Sequence, residues 1–225
     1  MALFEASFAE WRTSDRSHQP GRCRQDSRGN RKPRRRKLHL MSSGGRVHDR
    51  SVLDALEKLD PEPFDSDVWR VVRKGRDPLR GSSANGRWGA PGELEVLYTS
   101  EQRDGALTEV GFRLSLEPVW PSLIQHQIHI LAVKAERTLR LVDMRELANL
   151  GVDISRYESF EYDATQAIAA AAHFLEFDGL LVPSARFACS NLVLFADRVS
   201  RSEHLHLVSS EDVDWPEWQR ENRRA

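Results

Sequence analysis

Residues 17–50 show neither a helical nor a strand period, whereas from Ser51 onward short apolar runs and helical periods alternate. That break confines any packed core to the later part of the chain. The early stretch is rich in Arg, Gly, Ser and Pro and carries the cluster Arg34-Arg35-Arg36-Lys37. It offers too little apolar surface to offset the entropy of ordering, so residues 1–50 are expected to be a disordered basic segment. Charge divides at the same place, with 13 Lys and Arg against 5 Asp and Glu in residues 1–50, and 20 against 29 in the rest. The formal net charge of -1 thus averages a basic head and an acidic body. A basic arm can bind nucleic acid, but a solvated tail accounts for the composition more simply. Direct nucleic-acid binding is not expected.

No run approaches the roughly 18 apolar residues of a membrane span. The first residues carry Glu5 and Glu10 where a secretory leader is basic and then apolar. Cys23 and Cys189 make neither a disulfide framework nor a zinc site. These features point to the cytoplasm and away from a membrane.

Within the later part, Val52, Leu53, Leu56 and Leu59 share one face of a short helix that Pro61 and Pro63 stop. Residues 68–72 read as a strand. The loop over 75–92 that follows is dense in Gly, Ser and Asn, and is long enough to suggest a function. A second strand over 94–99 contains Tyr98. Ser100 is placed to cap a helix over 101–114, whose apolar side holds Ala106, Leu107, Val110 and Leu114, with Glu109 at its margin. Strands are expected over 124–133 and 138–142, then a helix over 144–150 ended by Gly151. An Ala-rich helix spans 164–175, with Asp163 and Gln166 resembling a capping box. Buried strands over 180–182 and 192–195 flank a loop with Pro183, Ser184 and Asn191. A strand over 204–208 leads into a polar tail, residues 211–225, that contains Trp215 and Trp218. Strands and helices interleave without a regular βαβ repeat. That favours the α+β class, a mixed sheet core with flanking helices, over a doubly wound fold, and bounds the domain at 51–210.

Several chemical signatures are absent, among them a Walker loop, GxGxxG, GxSxG and HExxH. His126 and His129 stand three apart on a strand, hence on opposite faces, and no metal site is expected from them. His204 and His206 share a face but lack a further ligand at suitable spacing. Arg70 lies inside an apolar strand, where its guanidinium needs a partner, either a structural carboxylate or a phosphate. Arg87 precedes Trp88 in the glycine-rich loop. Glu109 and Ser184 each have an ordinary structural explanation when taken singly.

Taken together, the segments carry more. Trp69-Arg70-Val71, Gly75-Arg76-Asp77-Pro78-Leu79, Gly86-Arg87-Trp88 and Pro91-Gly92 come first. Val96-Leu97-Tyr98-Thr99-Ser100, Ala106-Leu107-Thr108-Glu109-Val110, Gly179-Leu180-Leu181-Val182-Pro183-Ser184-Ala185 and Asn191-Leu192-Val193-Leu194-Phe195 follow. In order and spacing this set resembles the RES family, toxins of bacterial toxin–antitoxin pairs named for an Arg, a Glu and a Ser. Trp69 stands where the family usually has Tyr, and Gly89 where it has Asn.

The resemblance implies an ADP-ribosyltransferase-like fold and NAD as substrate, with no prosthetic group. It implies cleavage of NAD by hydrolysis or phosphorolysis. The alternatives are transfer of ADP-ribose to a protein, or a non-catalytic interaction protein with a basic arm. It assigns Glu109, Arg70 and Ser184 to catalysis, and Arg70, Arg87, Tyr98 and Asn191 to NAD. Tyr98 would offer a flat surface to one ring, with Ser184 and Asn191 supplying hydrogen bonds from the other side of the cleft. An antitoxin with a DNA-binding domain is the implied partner.

Overall fold

The computed structural model describes residues 48–199 and 203–222. The disorder expected for the basic segment therefore concerns residues that lie, up to residue 47, outside the described ones. In chain order the elements are helix α1 (Arg50–Leu56), strand β1 (Glu62–Arg73), strand β2 (Val96–Ser100) and helix α2 (Arg103–Ser115). Strand β3 (His126–Arg140), helix α3 (Met144–Asn149), a 3-10 turn (Ile154–Arg156) and helix α4 (Asp163–Phe174) follow. Strands β4 (Gly179–Pro183), β5 (Ser190–Phe195) and β6 (Leu205–Asp212) and helix α5 (Trp215–Asn222) complete the chain. The class is α+β, as the irregular interleaving implied.

Among the described residues six strands run in the order β1-β2-β5-β4-β3-β6, and β1 also pairs with β3, so the sheet closes on itself. β3 makes this possible by its length. It pairs antiparallel with β1 and β6, and at its end parallel with β4, where Leu139 faces Leu180. The sequence suggested two strands here because Lys134, Glu136 and Arg137 interrupt the apolar run. Lys134 and Glu136 are the exposed half of an alternation whose other half, Val133 and Ala135, is buried; the alternation breaks at Arg137, exposed next to buried Thr138 and Leu139. Asp178 also accepts the backbone N–H groups of Glu136 and Arg137, which holds the strand where it reaches its β4 partner.

Period-two alternation sorts the core into layers. Leu97, Leu131, Leu181, Leu192, Leu194 and Leu205 pack together inside the closed sheet. Their neighbours Val96, Leu180, Val182, Val193 and Phe195 face outward, against α4, α1 and α3. The alanines of α4 allow close approach, with Ala169, Ala171 and Ala172 almost fully buried. A third cluster joins α2 to β3 through Leu107, Leu114, Ile128 and Trp215.

Two local expectations are corrected. Ser100 ends β2 instead of capping α2, whose preceding residue Gln102 makes no side-chain cap. Asp163 and Gln166 form no capping box. The Gln166 amide is buried and donates to Asn85 Oδ1 and Gly86 O, both at 2.8 Å, so its hydrogen bonds serve the 75–92 loop. The boundary placed at residue 210 falls inside β6, and the chain expected to be a polar tail continues into α5. Trp215, 5% exposed, anchors that helix by donating from Nε1 to His126 Nδ1 at 3.0 Å.

The 75–92 loop is tied down throughout. Ser82 bridges to Val96, Gly86 bridges to Gly89, and Trp88 enters the main core. The end of β2, the end of β4 and the start of β5 lie side by side, with Ser100 opposite Asn191 and Pro183 opposite Ser190. α2 leaves directly from β2, which brings Glu109 to this end of the sheet.

Candidate active site

Glu109 is the centre of a convergent polar cluster. Ser184 Oγ donates to Glu109 Oε1 at 2.6 Å, and Asn191 Nδ2 donates to the same oxygen at 3.0 Å. Ser184 has no freedom in this. Its oxygen accepts the backbone N–H groups of Arg186 and Phe187 at 3.1 and 3.2 Å, so its single proton is left for the carboxylate. The turn after β4 thus orients the hydroxyl, and the start of β5 supplies the amide. Both bonds land on Oε1; among the described residues no hydrogen bond reaches Oε2. Asn191 Oδ1 is buried without a partner. Ser184 and Asn191, expected to supply hydrogen bonds from the other side of the cleft, both donate to this carboxylate.

Arg87 comes from the glycine-rich loop. Its guanidinium lies 4.6 Å from the Tyr157 ring centroid and 5.0 Å from that of Tyr162, and donates to Ser159 O at 3.2 Å. Burial lowers its pKa below the usual arginine value; Tyr157, Tyr162 and Glu109 act the other way, and Arg186 adds to the lowering. Thr165 Oγ1 fixes the loop by donating to Arg87 O at 2.6 Å.

Arg70 and Tyr98 hold the frame around the cluster. Arg70 donates from Nη1 to Tyr98 O and from Nη2 to Arg80 O, both at 2.9 Å, which ties β2 to the 75–92 loop. Burial brings its pKa down to about 10, with Asp77 opposing, and its Nε is buried without a partner. Among the described residues it makes no hydrogen bond or ion pair to Glu109, Ser184 or Asn191. The Tyr98 hydroxyl accepts the Trp88 N–H at 3.1 Å, and burial raises its pKa to about 12. Glycine is needed where the loop crosses these side chains. A Cβ on Gly86 would stand 3.1 Å from the Tyr98 ring, and one on Gly89 would stand 2.9 Å from Val96 Cγ2. An Asn at position 89 would therefore have to displace Val96.

The structure adds residues that the sequence reading did not single out. Tyr157 is buried, and its hydroxyl donates to Pro183 O at 2.8 Å, beside the Ser184 turn. Arg186 lies 3.6 Å from the Phe112 ring centroid and donates to Glu158 O. Phe160 and Tyr162 complete the rim. The available signals were an arginine two residues after Ser184 and three aromatics close together at 157, 160 and 162. Neither follows a secondary-structure period.

The histidines serve packing. His126 accepts from Trp215, and His129 Nδ1 lies 2.7 Å from Ser210 Oγ. Among the described residues no group of three or more His, Cys, Asp or Glu is placed to hold a metal ion, and no helix is long and apolar enough to cross a membrane. A cavity of about 420 Å³ lies elsewhere, lined by residues including Leu79, Leu97, His173 and Asp197. It shares no residue with the Glu109 cluster, where the convergent donors are.

Fold and side-chain geometry together define an α+β domain with a carboxylate-centred polar cluster at one end of a closed mixed sheet. The chain belongs to the RES domain family, whose model matches residues 67–216. Over 128 residues it is 34% identical to the probable NAD(+) phosphorylase Rv3189 of Mycobacterium tuberculosis, a match covering 56% of this chain and 60% of that relative. The chain thus spans less than two thirds of that relative's length. It shares its fold with a chain of the M. tuberculosis MbcT–MbcA toxin–antitoxin complex, with a TM-score of 0.68 and 22% identity, covering 79% of this chain and 99% of that one.

Proposed function

We propose that the chain is an NAD-degrading toxin that cleaves the bond between nicotinamide and ribose, passing ADP-ribose to water or phosphate. The observation that carries this reading is the Glu109 carboxylate, oriented through Oε1 by Ser184 and Asn191 with Oε2 left over. Nicotinamide leaves as a neutral molecule from a cationic ring, so the reaction needs no acid to protonate it. What it needs is negative charge beside the ribose as an oxocarbenium-like state develops. The carbon–nitrogen bond breaks with its electron pair going to the ring nitrogen, and the ribose carbon bonds to an oxygen of phosphate or of water, which releases a proton to solvent.

In this reading Glu109 stabilises that charge and orients a ribose hydroxyl or the nucleophile. Ser184 and Asn191 fix its carboxylate. Arg87 holds a phosphate or ribose oxygen, and Arg70 acts through the frame and its remaining Nε donor. The relationship to ADP-ribosyltransferases belongs to the same proposal, as does a cytoplasmic setting where NAD is present. A cognate antitoxin with a DNA-binding domain is the proposed partner; similarity to a chain of a solved toxin–antitoxin complex supports an antitoxin.

The test is incubation of purified protein with NAD, with and without phosphate. Nicotinamide release is expected, together with growth arrest when the chain is expressed. A phosphate requirement with an ADP-ribose phosphate product selects phosphorolysis; label on a protein band selects ADP-ribosyl transfer instead. No release at micromolar enzyme, with growth intact, removes the enzymatic reading.

A further inference from the structure

Around the carboxylate, contacts between residues form a circuit that one longer-range charge interaction closes. Ser184 joins Glu109 to the backbone of Arg186. The Arg186 guanidinium lies 3.6 Å from the Phe112 centroid and 5.9 Å from that of Phe160. The Phe112 and Phe160 rings are 6.4 Å apart and inclined by only 26°. Phe160 meets Tyr162 edge-on at 6.4 Å, and Tyr162 carries Arg87, whose charge acts on Glu109 and closes the loop. Phe160 stays 48% exposed in the midst of this circuit. Tyr98, the aromatic expected to stack on NAD, is by contrast largely enclosed by the glycine-rich loop.

We infer that Phe160, backed by Phe112 and Arg186, is the stacking shelf for the nicotinamide ring, an inference that rests on NAD being the substrate. Position selects the ring. Phe112 follows Glu109 by three residues on α2, a spacing that puts their Cβ atoms about 5–6 Å apart. With Glu109 at the ribose of the bond to be broken, the ring attached directly to that ribose falls within reach of the shelf. Adenine stands beyond the pyrophosphate and the second ribose. Charge selects the form of the ring. Arg186 disfavours a cationic pyridinium beside it and tolerates neutral nicotinamide, so the shelf holds the departing product better than the substrate ring. That difference in binding accelerates bond cleavage.

The experiment compares the full chain with Phe160→Ala and Phe160→Tyr. It measures NAD turnover, inhibition by added nicotinamide and by ADP-ribose, and binding of free nicotinamide by saturation-transfer NMR. Phe160→Ala should raise the nicotinamide inhibition constant about tenfold, the size of one lost aromatic stack. ADP-ribose inhibition should stay unchanged, and Phe160→Tyr should restore the nicotinamide value. An unchanged nicotinamide constant overturns the inference, and so does a loss confined to ADP-ribose, which would put adenine on the shelf. If the unsubstituted chain releases no nicotinamide from NAD, the proposed function fails, yet the NMR arm still decides the shelf. Nicotinamide binding that Phe160→Ala abolishes supports it; binding that is absent or unaffected overturns it.

Discussion

Helix α2 has two flanks, and they do opposite things. On one, Glu109 and Phe112 meet Ser184, Asn191 and Arg186. On the other, Gly111 abuts the Trp218 ring, while Leu107 and Leu114 pack in the cluster that holds Trp215. Trp215 stands edge-on to Trp120, His126 and Trp218 at 5.8, 5.6 and 5.5 Å, with its N–H given to His126. The tryptophan flank uses that donor internally. The glutamate flank leaves Oε2 of Glu109 and Oδ1 of Asn191 over. Buried polar groups are normally satisfied, so the buried, unpartnered Oδ1 of Asn191 sets the glutamate flank apart from the tryptophan flank.

The comparison breaks if substitutions on the two flanks act alike. Glu109→Ala should cut nicotinamide release about a thousandfold, the scale of removing a principal electrostatic stabiliser, while thermal unfolding stays close to that of the parent. Trp215→Ala should do the reverse. It empties the centre of the tryptophan flank and should cost about 3–5 kcal/mol of stability, read by denaturant unfolding, while activity per folded molecule persists at low temperature. A Glu109→Ala chain that unfolds, or a Trp215→Ala chain with normal stability and no turnover, would erase the distinction.

Arg70 sharpens the contrast because it belongs to neither flank. Arg70→Ala leaves the Tyr98 and Arg80 carbonyls without their donor, so stability should fall by about 1.5–3 kcal/mol. Release should fall with it, since the loop that carries Arg87 loses a tether. Unfolding and turnover measured on one sample check both. Ser184→Ala should be milder, with release reduced about tenfold by the loss of one charge-assisted bond to Glu109. Equal losses in Ser184→Ala and Glu109→Ala would make the hydroxyl a direct participant in the reaction.

Much of this was legible where information is local. The apolar run at 192–195 reads as a doubly buried strand because Leu192 and Leu194 face the sheet interior while Val193 and Phe195 face the helices. Glu109, Ser184 and Asn191 were picked out through the resemblance, and the structure brings those three into contact. The sequence could not show that Gln166 serves a loop 80 positions away, or that Asp178 supports β3 near its β4 partner. Those partners are set by tertiary packing, which overrides a capping pattern or a break in an apolar run. Arg186 and Phe160 were missed for the same reason. Their significance comes from meeting Phe112, on a separate element.

The smallest expected effect is electrostatic and separates the flanks once more. Burial lowers the pKa of His126 and of His129; Arg73 adds to it at His126, against a backbone bond from Ile124, and Arg70 adds to it at His129. The folded chain therefore prefers both imidazoles neutral, and Trp215 needs His126 Nδ1 unprotonated to accept its N–H. Above about pH 6.5 the unfolded chain is neutral at these positions too, and stability from this source is complete. As pH falls below that, the unfolded chain takes up protons that the folded chain resists, and stability declines until the folded pKa values are reached. Thermal unfolding should shift down by a few degrees between about pH 7.5 and about pH 5. His126→Gln, which keeps an acceptor for Trp215 without titrating, should flatten that slope. A slope identical in both chains would assign the acid sensitivity to other groups and leave the tryptophan flank without a pH-sensitive member.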